Sequence, residues 1–239
     1  MPPALVLIRH AQALHNVNKE YDIPDPVLSE LGEKQCIDLR EKLKTVLPTV
    51  GKVDLIMSSP MRRTLQTAKL GLNWLIESGL KIEANADWQE NSAKPCDTGT
   101  NVSELAKDFP NVNFDNVDPV YPDKTSPAGA RYAHSKKAIT TRAQLALEHL
   151  YSRPEKVIVV VSHSGFLRQG MTGFWFFNAD FRIFDFEERK KETNGPYKLK
   201  QWDLTTKGGL GWSWTDPVEV GDGLPEDEGI PEADRKLPE

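Results

Sequence analysis

One stretch of the sequence decides the fold: VIVVVSHSG, residues 157–165. Its first five residues are apolar and β-branched, which is typical of a central parallel strand covered by helices on both faces. Ser162 and His163 follow this run directly. Before it, apolar residues recur at helical spacing, at Ile139, Ala143, Ala146, Leu147 and Leu150. The pattern therefore predicts a helix that leads into a buried strand with a polar end.

Two further apolar runs nearer the amino terminus predict strands of the same kind. They are ALVLI at residues 4–8 and VDLIM at residues 53–57, and a pattern typical of a helix follows each. The order of strand and then helix implies right-handed crossovers between parallel strands. The predicted fold is therefore α/β, a three-layer α/β/α sandwich with a mostly parallel central sheet.

Basic side chains follow all three predicted strands. Arg9 and His10 come after the first, Arg62 and Arg63 after the second, and His163 after the third. In open α/β sheets, ligands bind at the carboxyl ends of the strands, so these side chains are expected at one edge. Arginine matches phosphate oxygens with a planar fork of donors, and a neutral imidazole can act as a nucleophile. Since Arg62 and Arg63 are adjacent at a helix start, only one of them can point inward. The set predicts phosphoryl chemistry.

Five segments, in this order, carry a resemblance to a known family. They are RHAQALHN at 9–16, DPVLS at 25–29, SPMRRTLQTA at 59–68, WQE at 88–90 and VSHSG at 161–165. Together they resemble the motifs of the histidine phosphatase superfamily, in its phosphoglycerate-mutase-like branch (branch 1). The resemblance covers roughly residues 4 to 175 and implies a phosphoglycerate-mutase-like fold.

The resemblance implies a phosphoryl transfer through phosphohistidine, with no metal and no cofactor. His10 would attack the phosphorus, and Glu90 would act as general acid and then as general base. The remaining residues implied in the site bind the substrate or neutralise its charge: Arg9, Asn16, Arg63, His163 and Ser164. Such a site must place positive charge in advance where the transition state carries negative charge.

Three residues after the nucleophile depart from the family pattern: Ala11, Gln12 and Ala13 replace a glycine, an acidic residue and a hydroxyl residue. Ala13 removes one donor to the phosphate, which a backbone amide or Asn16 would replace. Gln12 lacks the carboxylate typical of the mutases. The leading hypothesis is a metal-independent phosphatase that hydrolyses a small phosphate monoester. The alternatives are a phosphoglycerate-type phosphomutase and a non-catalytic phosphate-binding module, the latter favoured if Glu90 is remote from His10.

Chain organisation predicts one catalytic domain over residues 1–215. Residues 91–131 are rich in Pro, Asn, Asp and Gly, and a loop insertion of this length is expected to select the substrate. Residues 216–239 contain nine acidic and two basic residues with repeated Pro and Gly, which predicts a disordered tail.

Composition indicates the surroundings in which the protein works. The formal net charge is −5, of which the tail contributes −7 and residues 1–215 contribute +2, a positive charge too small to suggest nucleic-acid binding. No apolar run reaches the ~20 residues that span a bilayer, and no secretory signal is visible. The two cysteines, Cys36 and Cys96, are expected to be reduced thiols in a cytoplasmic protein. The sequence defines neither the oligomeric state nor the particular phosphate ester.

Overall fold

A seven-stranded mixed sheet forms the centre of the protein in the computed structural model, which describes residues 1–188 and 195–226. The strands are β1 Ala4–Arg9, β2 Leu55–Ser58, β3 Ile82–Ala84, β4 Val112–Asn113, β5 Val157–Ser162, β6 Phe181–Phe186 and β7 Leu199–Gln201. Their order across the sheet is β4-β3-β2-β5-β1-β6-β7. The five strands from β4 to β1 run parallel, whereas β6 and β7 pair antiparallel. The predicted, mostly parallel sheet is confirmed.

The central position of β5 follows from its composition, since all six of its residues are buried. Val159 is paired with Val6 of β1 on one side and with Ile56 of β2 on the other. In the same register Arg9 lies opposite Ser162. The carboxyl ends of β1, β2 and β5 therefore meet at one edge of the sheet.

Helices cover both faces of the sheet, as predicted. They are α1 Leu14–Asn18, α2 Glu30–Val50, α3 Arg62–Gly71, α4 Asn73–Glu77, α5 Val102–Asp108 and α6 Lys136–Tyr151, with a π-helical segment at Phe166–Thr172. Val6 and Val159 belong to a core cluster with apolar residues of α2 and α3. Their strand neighbours Leu5 and Ile158 belong to a second cluster with α6 and the π-helical segment. The period-2 alternation of the strands thus builds two cores and three layers.

The predicted insertion contains regular structure. Residues 91–131 include α5 and β4, and β4 adds an edge strand beside β3. Tyr121 is buried and its hydroxyl donates to the carbonyl of Pro60, directly before the helix that carries Arg63. The insertion is therefore packed against the carboxyl edge of the sheet.

The predicted disorder from residue 216 onward is wrong for residues 216–226, which form a strap over the second core. The amides of Val218 and Gly221 donate to the carbonyls of Gly173 and Gln169. Leu224, only 7% exposed, joins the cluster built around α6. Backbone hydrogen bonds and one buried leucine thus order a segment whose composition alone predicts disorder. The rest of the predicted tail, 227–239, lies outside the described residues.

Within residues 1–188 and 195–226, no helix is both long enough and apolar enough to cross a membrane.

Candidate active site

His10 lies directly after β1 and is 2% exposed. Its Nδ1 is 2.7 Å from the carbonyl oxygen of Ala11. A carbonyl only accepts, so Nδ1 carries the proton and Nε2 keeps a lone pair. The guanidinium Nε of Arg63 donates to that Nε2 at 3.2 Å. Burial, and then the charges of Arg63 and Arg9, lower the pKa of His10 well below its usual value. His10 is therefore a neutral imidazole whose unprotonated nitrogen accepts a hydrogen bond from a cation.

Arg63 occupies the first turn of α3 and is fully buried. Its Nη1 donates to the carbonyl of Cys96 at 2.6 Å, and its Nη2 contacts Oδ1 of Asp97 at 3.2 Å. The neighbouring Arg62 points elsewhere and pairs with Asp108 at 2.6 Å. Of the two adjacent arginines, the structure thus brings Arg63 to His10, as the sequence resemblance implied.

His163 lies directly after β5, and its ring centroid is 5.2 Å from that of His10. Nε2 of His163 is 2.9 Å from Oγ of Ser59, which follows β2. Burial, with Arg63 and His10 next in effect, holds the pKa of His163 well below its usual range. The half-buried Ser164 is its neighbour in the chain. Three strand ends therefore converge on one pair of neutral histidines.

Glu90 lies between β3 and the insertion, directly before residue 91. Its carboxylate is bound to the segment that follows β5. Oε2 accepts from the amide of Gly165 at 3.0 Å, and Oε1 accepts from the amides of Phe166 and Asn91 at 2.9 Å each. A Cβ atom on Gly165 would lie 2.5 Å from Oε1, so any larger residue at this position would displace the carboxylate. Glu90 is therefore held at the strand end that carries His163.

Arg9 completes the positive charge of the site. Its Nη1 donates to the carbonyl of Phe176 at 2.8 Å. Burial lowers the pKa of Arg9 to about 10, and the nearby carboxylate of Glu90 opposes that shift.

Asn16 contacts residues of its own segment. Its Oδ1 accepts from the amide of Ala13 at 3.1 Å, and its Nδ2 is 2.9 Å from Nε2 of His15. His15, for which the sequence left open a contact with substrate, packing or exposure to water, is 5% exposed, and its ring centroid is 5.9 Å from that of His10. Burial and the charge of Arg63 lower the pKa of His15 to about 4. His15 lies in the short helix α1, where it is buried.

The departures from the family pattern have structural partners. Oε1 of Gln12 accepts from Oγ of Ser29, and the amide and carbonyl of Gln12 bind Gln35 and Ser29. Ala13 is fully buried. Gln12 thus joins the nucleophile loop to the start of α2, where the Ser29 hydroxyl accepts from the amide of Gly32 as an N-cap.

The part of the chain that the structure describes contains no cluster of three or more His, Cys, Asp or Glu side chains with a metal-binding arrangement.

The fold and the site define the chain as an α/β protein with two buried histidines and two arginines at the carboxyl edge of a mostly parallel sheet. A sequence model of the histidine phosphatase superfamily (branch 1) matches residues 5–185. The chain therefore belongs to this superfamily.

Named relatives agree with the family assignment. A Schizosaccharomyces pombe protein whose name is given as probable phosphatase is 32% identical over 165 residues, or 66% of this chain and 73% of that protein. The phosphoglycerate mutase-like protein 1 of Arabidopsis thaliana is 30% identical over 197 residues, or 68% of each chain. Family and relatives support a phosphatase activity.

Solved structures share the fold at low identity. The ecdysone phosphate phosphatase of Bombix mori superposes with a TM-score of 0.53 at 15% identity, covering 83% of this chain and 92% of that one. The phosphoserine phosphatase of Entamoeba histolytica gives a TM-score of 0.50 at 20% identity, covering 82% and 94%. These similarities confirm the predicted phosphoglycerate-mutase-like fold.

Proposed function

We propose that the protein is a metal-independent phosphatase that hydrolyses a small phosphate monoester through a phosphohistidine on Nε2 of His10. One observation carries the proposal: the hydrogen bond from Nδ1 to Ala11 leaves Nε2 unprotonated, and Arg63 faces it at 3.2 Å. A nucleophile needs an unprotonated nitrogen, and nearby cations reduce the repulsion between that nitrogen and the negatively charged phosphate ester. Nε2 of His10 satisfies both conditions. When the ester binds, the hydrogen bond from Arg63 to Nε2 would pass to a phosphate oxygen and release the lone pair.

In the first half of the reaction, Nε2 of His10 attacks the phosphorus in line with the leaving oxygen. The N–P bond forms as the P–O ester bond breaks. Arg63 and Arg9 stabilise the charge on the equatorial oxygens, and His163 adds a neutral hydrogen-bonding group. Nε of Arg9 and Nδ1 of His163 support this role, because both are buried with no hydrogen-bond partner among the described residues. A phosphate oxygen would accept from each.

Glu90 is proposed to handle the proton. It would protonate the departing alkoxide, so that an alcohol leaves, and then take a proton from the water that attacks the phosphohistidine. Cleavage of the N–P bond releases inorganic phosphate and restores His10. The hydrogen bonds that hold the Glu90 carboxylate on the segment directly after His163 support this assignment.

We also propose a cytoplasmic location, because the two cysteines are expected to be reduced thiols.

A panel of phosphate esters tests the function, with phosphate release and isomerisation both scored. The panel includes an activated aryl phosphate, phosphoserine, 3-phosphoglycerate and sugar phosphates, each with and without a strong chelator. We expect phosphate release that the chelator leaves unchanged. Isomerisation without release would show a mutase, and binding without turnover would show a phosphate-binding module. Loss of activity restored by magnesium or zinc would contradict metal independence.

A further inference from the structure

Lys124 is an unusually buried lysine in the insertion, with 4% of its surface exposed. Its Nζ donates to three backbone carbonyls, those of Glu90 at 2.7 Å, Ser92 at 2.9 Å and Asp97 at 2.6 Å. An ammonium group has three N–H donors, so every donor is used. The side chain therefore works as a clamp on the loop from residue 90 to residue 97.

The clamped loop carries two parts of the candidate site. Glu90 stands at its beginning, with its carboxylate bound to the segment after β5. Cys96 and Asp97 stand at its end, and both accept from Arg63. One ammonium thus joins the backbone of the proposed acid to the backbone that holds the phosphate-binding arginine.

The loop has a second support on its other side, which shows what Lys124 adds. Arg142 of α6 donates to the carbonyl of Gln89 at 2.6 Å and to Oδ1 of Asn91 at 3.2 Å. These bonds hold the residues on either side of Glu90, whereas Lys124 holds the carbonyl of Glu90 itself. Arg142 belongs to the core of the fold, but Lys124 belongs to the insertion.

We propose that Lys124 is a positioning residue that acts through Glu90: its three carbonyl contacts set the place of the Glu90 carboxylate. The inference rests on the proposed function, in which Glu90 protonates the leaving oxygen. Charge-assisted hydrogen bonds are stronger than neutral ones, and an apolar replacement leaves buried carbonyls unpaired. The loop would then relax, and the carboxylate would move away from the leaving group. The insertion would in this way affect the chemistry as well as the choice of substrate.

The test compares Lys124→Met with a matched control, Lys107→Met, which makes the same change at an exposed lysine of the insertion. Two substrates are assayed, an alkyl phosphate with a poor leaving group and an activated aryl phosphate. Because a misplacement of about 1 Å can cost about 10²-fold, we expect kcat for the alkyl phosphate to fall by about that factor in Lys124→Met. The aryl phosphate needs little proton transfer and should lose far less. Lys107→Met should match the wild type on both.

A double variant links the effect to Glu90. In a Glu90→Gln background, adding Lys124→Met should cause no further loss on the alkyl phosphate, because residues that act as a unit are not additive. Full additivity, equal losses on both substrates in Lys124→Met, or no loss at all would each overturn the proposal. If Lys124→Met does not fold, Lys124→Gln decides by the same substrate comparison.

Amide hydrogen exchange tests the clamp by Lys124 independently of the proposed phosphatase activity. If the wild type hydrolyses neither substrate, the phosphatase proposal fails by itself. The clamp is still measurable, because the peptide that spans residues 90–97 should exchange faster in Lys124→Met than in the wild type and in Lys107→Met. Unchanged exchange in that peptide would show that Lys124 does not hold the loop.

Discussion

The protonation state of the buried histidines governs the candidate site at the scale of single residues. His10, His15 and His163 are each at most 5% exposed, and burial is the first cause of the lowered pKa of each. Arg63 adds to the shift in all three. The nucleophile is thus kept unprotonated by burial first, and then by the same cation that would bind the phosphate. Charge for the substrate must then come from the arginines.

This arrangement predicts how stability depends on pH. In the unfolded chain these histidines take up protons below their ordinary pKa of about 6.5, whereas in the folded protein they stay neutral. The unfolded state then binds more protons, so the free energy of unfolding falls as the pH drops below about 6.5. Each such histidine contributes up to ~1.4 kcal/mol per pH unit. Urea unfolding at a series of pH values from 7.5 to 5 measures the slope.

Two variants separate the buried histidines from exposed ones. His15→Gln should make the acid slope shallower, because the folded-state pKa of His15 lies at about 4. His134→Gln, a change at an exposed histidine, should leave the slope as it is. The same slope in the wild type and in His15→Gln would show that His15 is protonated in the folded protein.

Glu90→Gln tests the proton-transfer role at the same scale. The variant retains the size of the side chain but has no proton to donate to the leaving oxygen, and general acid help contributes about 10²–10⁴-fold. We expect a loss in that range for an alkyl phosphate and a much smaller loss for an activated aryl phosphate. Asp87→Asn is the control, since Asp87 pairs with Arg131. Equal losses on both substrates for Glu90→Gln would show that Glu90 is structural or that another acid donates the proton.

At the scale of secondary-structure elements, the ends of several strands and the start of one helical segment form the candidate site. β1, β2 and β5 each end at the same edge, and the π-helical segment Phe166–Thr172 begins there with the amide of Phe166 bound to Glu90. The strap of residues 216–226 covers this segment. Gln169 of the π-helical segment contacts both the strap and the residue after Glu90. Its carbonyl accepts from the amide of Gly221, and its Oε1 accepts from Nδ2 of Asn91. The strap therefore supports the element that holds the proposed acid.

A substitution in the strap measures that support. Leu224→Ala removes a side chain that is 7% exposed, and truncation of a buried leucine costs about 2–5 kcal/mol. Because the strap lies at the surface, we expect the free energy of unfolding to fall by about 2 kcal/mol, as measured by urea denaturation. Val220→Ala, at a side chain 40% exposed, is the matched control and should change little. Similar midpoints for the two variants would mean that the strap does not pack as described.

At the scale of the whole molecule, the sequence predicts those features that continuous patterns carry. The three central strands are found where predicted, because uninterrupted β-branched runs have few alternatives to a buried parallel strand. β3 and β4 were not predicted, since strands of three and two residues carry too little periodicity. The antiparallel β6 and β7 were likewise missed, because pairing partners distant in the chain leave no local signal.

The candidate site also contains residues whose placement the sequence predicts and residues whose placement it does not. His10, Arg63 and His163 follow predicted strands, so topology alone brings them to one edge. Lys124 lies in a polar segment, where a lysine is normally predicted to be exposed to solvent. Its burial depends on the path of the insertion, as the position of His15 depends on α1. Contacts that arise from loop paths are therefore the part that the sequence does not specify.

Trapping the phosphorylated enzyme tests the central claim most directly. A rapid quench with labelled substrate should give protein-bound label that is labile in acid, stable in alkali and located on His10. His10→Ala should lose both label and turnover while its folding remains intact, because the attacking nitrogen is gone. His163→Ala should be slower but retain the attachment site. Label located on His163, or turnover that persists in His10→Ala, would contradict the mechanism.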